Sequence, residues 1–122
     1  MTVSRENLLK IFVLNELADD FENLEMVAGE CGILAAKCGI RIVDKDVIET
    51  IAALIKDGSL RAMWLSRADD PRPIEGVPAN EDFYRVYFAH TDAGVRRHSE
   101  NPWPLDDYGN AVPDLTITSR KS

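Results

Sequence analysis

Nucleophilic and metal-binding side chains are scarce in this sequence, which has two cysteines and two histidines in 122 residues. Cys31 and Cys38 stand seven apart within one predicted helix, which separates their backbones by about 10 Å, too far for a disulfide there. Both are therefore expected as reduced thiols packed in the interior. His90 and His98 lie far along the chain from them, so no metal-ligand spacing arises. Gly29, Gly32 and Gly39 do not make a phosphate-cradling loop, and no serine sits in a G-x-S-x-G elbow. The acids Asp19, Asp20 and Glu22, Asp69 and Asp70, and Asp106 and Asp107 read as solvated surface, because no neighbour in sequence would tune them as acid and base. The expectation is a protein without catalytic residue, metal or cofactor, one that works by binding and is not an enzyme.

Long apolar runs are also missing. None approaches the roughly 18 residues of a membrane span, and the opening MTVSRENLLKIFVL is interrupted by Arg5, Glu6, Asn7 and Lys10. It reads as an amphipathic helix, and a cytoplasmic location away from membranes is the expectation. Basic residues are outnumbered, 14 against 21 acids, for a net charge of −7. That balance favours solubility and works against nonspecific attraction to nucleic acid or anionic lipid. What is present is a 45% share of hydrophobic residues, enough to build one core without bridges.

The apolar residues fall into recognisable periods. Over residues 4–18, Leu8, Leu9, Ile11, Phe12, Leu14 and Leu17 share one helical face, with Ser4 as N-cap. Asp19, Asp20 and Glu22 turn the corner into a second helix over residues 21–37, which should bury Phe21, Leu24, Val27, Cys31, Leu34 and Ala35 and stop at Gly39. Gly29 and Gly32 inside it permit a bend or a close helix crossing. Residues 40–43 are either a short strand or an extended turn. A third helix, capped by Asp44 and ended by Gly58, turns Val47, Ile48, Ile51, Leu54 and Ile55 inward. Residues 59–66 alternate as a strand, the loop ADDPRPIEGVPANED follows, and Phe83, Tyr84, Val86, Tyr87 and Phe88 mark a second strand over residues 82–90. Thr91 then caps a short helix reaching His98. Beyond Ser99 prolines interrupt every period, although Trp103, Leu105 and Tyr108 suggest packing against this domain or a second subunit.

The order of three helices, a strand, a long loop and a strand resembles a winged helix-turn-helix domain. VIETIAALIKDGSLRAMWL is similar to the third helix and first wing strand of that family, and FYRVYFAHTDAGVRRH to the second wing strand and the T-x-x-G step after it. The resemblance implies an α+β fold: a three-helix winged helix-turn-helix domain with a C-terminal β-hairpin wing over residues 1–98, then an irregular tail over residues 99–122. It also implies a transcription-regulator-like protein that binds double-stranded DNA, with the third helix in the major groove and the wing on the backbone.

Carried onto this chain, that implication makes Lys45, Glu49, Thr50 and Lys56, with Asp46 and Ala53, the outward face of the third helix. Arg67 and Arg72 fall in the wing, and Arg96 with Arg97 just beyond it. The third helix is a poor phosphate binder, since two lysines face four acids between Asp44 and Asp57, a net of −2. From Arg61 to Ser99 six arginines balance six acids, so the hairpin is the better anchor for bidentate contacts. The alternative is an acidic winged-helix module that binds protein without DNA. It would present its helix face or the residues Trp103, Leu105 and Tyr108 to a homodimer mate or another partner.

Overall fold

The computed structural model describes residues 1–65 and 71–119, and these form an α+β fold. In chain order it comprises β1 (Thr2–Ser4), α1 (Arg5–Glu16), β2 (Glu22–Asn23), α2 (Leu24–Lys37), α3 (Asp44–Lys56), β3 (Leu60–Leu65), β4 (Pro71–Ile74), β5 (Tyr87–His90), α4 (Asp92–Glu100) and β6 (Thr116–Thr118). One sheet runs β2-β5-β3-β4, all neighbours antiparallel, and a second pairs β1 with β6 in parallel.

The helix boundaries follow from local hydrogen bonding. The Ser4 hydroxyl accepts the Asn7 N–H at 3.1 Å and starts α1. Asn23 accepts the Met26 N–H at 3.0 Å, so α2 begins at Leu24, later than the sequence pattern suggests. Residues 22–23 are used instead as strand, opposite Phe88 and Tyr87. Phe21 consequently lies outside the core, 40% exposed, with its ring edge-on to Tyr87 at 5.7 Å. At α3 the cap position is Val43 rather than Asp44, because the Asp46 carboxylate reaches back to the Val43 N–H at 2.8 Å. Residues 40–43 form no strand.

Both α2 and α3 end on a glycine with positive φ, Gly39 at 77° and Gly58 at 84°. The next N–H bonds back to a carbonyl near the helix end, Ile40 to Ala35 at 2.9 Å and Ser59 to Leu54 at 2.9 Å. This satisfies carbonyls that would otherwise be orphaned.

The helices bury their apolar faces on the sheet and on one another. Leu8, Phe12, Leu14, Leu24, Val27, Ile51, Leu54, Phe83 and Phe88 are almost wholly buried in one cluster, each such side chain contributing about 1.5–3 kcal/mol. Ile48 and Ile55, expected inside, are only half-buried.

The second predicted strand is shorter than expected. Asn80–Asp82 is a 3-10 turn, and Arg85 and Val86 donate to the Asp82 carbonyl at 2.9 and 3.2 Å. Phe83 and Val86 point inward three residues apart while Tyr84 and Arg85 face water, a helical rather than an alternating rhythm. Part of the expected loop, in turn, is strand: β4 lies on the outer edge of β3, where Pro73 needs no ladder N–H.

Candidate nucleic-acid interface

The side on which α3 packs against α1 and the core decides which of its side chains face out. Lys45, Glu49 and Lys56 are exposed, with Ala52 half-buried between them. Lys45 lies 3.9 Å from Glu49 one turn on, an exposed pair worth at most about 1 kcal/mol. Thr50 does not belong to this face. It is 6% exposed, and its hydroxyl donates to the Asp46 carbonyl at 2.8 Å. Asp46 is likewise turned aside, holding the helix start and lying 3.4 Å from Arg5 of α1. Thr50 and Asp46, with Ala53, instead line a shallow groove of about 150 Å³ between α1 and α3. The reason is angular: 100° per residue places position 50 beside Val47 and Leu54, on the flank that meets α1.

The β3–β4 pairing sets Arg72 of β4 directly opposite Trp64 of β3. Cβ atoms of such a pair lie on one face of the sheet, and both side chains are exposed. Trp64 was not among the sequence-derived candidates; it follows Leu60 and Ala62 on one face of β3, but the core ends before it. Arg67 lies outside the described residues.

The two arginines of α4 have different roles. Arg96 is exposed and, among the described residues, makes no ion pair. Arg97 is engaged within the fold: its Nη1 donates to the Asp57 carboxylate at 2.6 Å and to the Ser59 hydroxyl at 3.3 Å. Partial burial pushes the Asp57 carboxyl up, but hydrogen bonds from Ser59 and Arg97 and the guanidinium charge outweigh it and hold the group below its usual value. A cation here also suits the carbonyl end of α3. Arg97 is thus a latch between α3 and α4, not a free phosphate contact.

Gly94 explains why α4 sits so near this junction. A Cβ at this position would collide with the Ser59 carbonyl, so only glycine permits the approach. Thr91 completes the seat, its N–H bonding the Ser59 carbonyl at 3.1 Å and its hydroxyl capping α4 through the Gly94 N–H at 3.1 Å. His90, beneath α4, bonds the Leu14 carbonyl of α1 at 2.7 Å through Nε2 and meets His98 edge-on at 5.8 Å between ring centroids.

The tail residues read as partner contacts are used at home. Trp103 packs edge-on against Phe12 at 5.8 Å while remaining 41% exposed, Leu105 joins the core cluster, and Tyr108 is open, 89% exposed. Residues 116–118 continue along β1.

A perturbed carboxyl that the sequence pattern did not reveal lies at the corner of α1 and α2. Glu16 is pushed up to about 7 by burial first, then by the hydrogen bond and charge of Glu22 and the charge of Glu30. The adjacent Cys31 thiol is pushed up to about 12, mainly by burial, so it stays protonated at neutral pH. Both cysteines are free thiols; Cys31 is buried and Cys38 half-buried. Among the described residues no three His, Cys, Asp or Glu side chains form a metal site, and no helix is long and apolar enough to cross a membrane. No family model, curated protein or solved structure matches the chain.

Proposed function

We propose that this chain is a winged helix-turn-helix protein that acts by binding double-stranded DNA, as a transcription-regulator-like protein without catalytic activity. The observation that carries this reading is the sheet order. A two-residue strand between α1 and α2 pairs with β5, and β5 pairs with β3, the strand that leaves α3. This is the connectivity expected of three helices and a wing, with β4 as an addition to the wing's outer edge. The stripe Lys45, Glu49 and Lys56 would face the major groove, while Arg72, with Trp64 beside it, and Arg96 would meet the backbone. A fluorescence anisotropy titration with random-sequence duplex DNA at about 50 mM salt tests it, because phosphate contacts are strongest there. Binding that weakens steeply with salt, and weakens by about 1 kcal/mol in Arg72→Ala, supports the reading. Absence of binding at that salt overturns it.

A second reading, the protein-interaction module, is favoured by one specific observation. Val43 and Tyr84 are exposed apolar side chains at the start of α3, and the Tyr84 hydroxyl lies 3.4 Å from the Asp44 carboxylate. An exposed aromatic beside an acid suits a protein surface better than a phosphate.

A further inference from the structure

Helix α2 turns one face into the core and leaves the opposite face open. Met26 and Ile33, 52% and 53% exposed, stand on the open face with Gly29 and Ala36. Steps of three and four residues put these positions in one row along the helix. A single exposed apolar side chain needs no account, whereas a continuous row of them marks a contact surface.

The glycines of this helix have no internal reason. A Cβ at Gly29 or Gly32 would meet nothing within 4 Å among the described residues, and alanine at either would be the better helix former. Gly94 shows the contrast, since there the missing side chain admits a carbonyl of the same chain.

The row is complementary to itself. When two copies of α2 are laid antiparallel about a two-fold axis level with Cys31, Ile33 of each falls opposite Gly29 of the other, and Met26 opposite Ala36. A large side chain meets a gap at every step. The same alignment brings Glu25 of each copy to the level of Lys37 of the other. Both are exposed and, among the described residues, neither is in an ion pair. The charges around them agree: Asp19, Asp20 and Glu22 precede Glu25, while Arg41 follows Lys37. Antiparallel helix dipoles add to the attraction, and Glu30 falls on the rim, where water and salt screen it. A parallel pairing would set Glu25 against Glu25 and leave the glycines over a void. At the Lys37 end, a Cβ on Gly109 would lie 3.0 Å from the Lys37 Nζ, so the turn bearing the exposed Tyr108 borders the row.

We infer that α2 is the contact of a two-fold dimer of this chain, with Ile33 of each copy seated on Gly29 of the other and Met26 on Ala36. The patch is one helix wide, at the small end of specific interfaces, so the dimer is weak and depends on concentration. It uses no residue of the α3 stripe or the wing and stands whether or not the chain binds DNA.

Sedimentation equilibrium of the full chain between about 10 μM and about 1 mM tests it, with a monomer–dimer equilibrium expected in that range. Ile33→Glu should weaken association at least about tenfold. Gly29→Leu fills the seat of Ile33 and should weaken it likewise, while raising the melting temperature measured at a concentration where the parent is monomeric. Glu25→Lys and Lys37→Glu should each associate more weakly than the parent, because each sets like charges at one level, but an equimolar mixture of the two variants should regain association by pairing opposite charges. A parent that stays monomeric at about 1 mM, association unchanged by Ile33→Glu or by Gly29→Leu, or a mixture no tighter than its components would each overturn the contact.

Discussion

Helices α3 and α4 are both capped and both packed on the same body, but they are held by different forces. Helix α3 sinks Val47, Ile51 and Leu54 into the core. Helix α4 buries only Gly94 and is seated by hydrogen bonds, one ion pair and the absence of a side chain. Apolar burial is non-directional and sums over many contacts. A polar seat depends on a few atoms in set positions, so it can fail at one residue or at one pH. The first kind of attachment makes a platform, the second a part that can be released.

The largest effects should therefore fall on α3. Leu54→Ala or Ile51→Ala removes a wholly buried side chain and is expected to cost about 2–5 kcal/mol in urea unfolding. A loss below about 0.5 kcal/mol would mean that the two helices are held alike. Next is Gly94→Ala, where the new methyl meets the Ser59 carbonyl and α4 must shift. Overpacking of this kind costs about 1–3 kcal/mol. Hydrogen exchange should show the loss concentrated in residues 91–100, with α3 amides little changed; uniform loss would count against a separately seated helix.

The same contrast explains what could be read in advance. The inward faces of α1, α2 and α3 were legible because periodic apolar side chains report burial directly, and Gly39, Gly58 and Thr91 announce their own backbone roles. Phe21 misled because an aromatic is counted as core by type, whereas the Asn23 cap two residues on decides where α2 starts. Residues 83–86 misled in the opposite way: strand-forming types hid a spacing of three between Phe83 and Val86. At the candidate interface, Lys45, Lys56, Arg72 and Arg96 were legible as exposed cations, whereas the burial of Thr50 depends on the side from which α1 arrives. Arg97 could not be separated from Arg96 by sequence, since its partner Asp57 is 40 residues away. Glu16 was invisible for the same reason, its environment being made by contacts between elements.

A smaller effect is expected at the latch. Arg97→Met should cost about 1 kcal/mol or less, because the pair with Asp57 is partly exposed and screened by solvent. Its signature is in the pH dependence. The Asp57 carboxyl is depressed in the folded chain, so its stabilising contribution is present above the unfolded value of 3.8 and is lost as pH falls through the lower folded value. Urea midpoints of wild type and Arg97→Met should converge in acid; a constant gap across that window would show that the arginine acts by packing alone.

The smallest expected effect concerns His90, and it separates α4 from α3 in a milder pH range. The Leu14 carbonyl can only accept, so His90 Nε2 carries the proton in the 2.7 Å bond. Burial lowers the His90 pKa, the bond to Leu14 opposes this, and the charge of His98 lowers it further, leaving it below 6.5. The unfolded chain therefore takes up the proton first as pH falls. Stability from this site is complete above the unfolded value of 6.5 and is lost as pH drops from there toward the folded value, a window well above that of Asp57. Because the ring is partly open to solvent, the loss should be small. Hydrogen exchange corrected for intrinsic rates at pH 7.5 and pH 5.5 should show α4 loosening in acid while α3 keeps its protection. In His98→Asn, which removes the neighbouring charge, that loosening should shrink; if it persists in full, or if α3 loosens equally, the histidines do not govern the seating of α4.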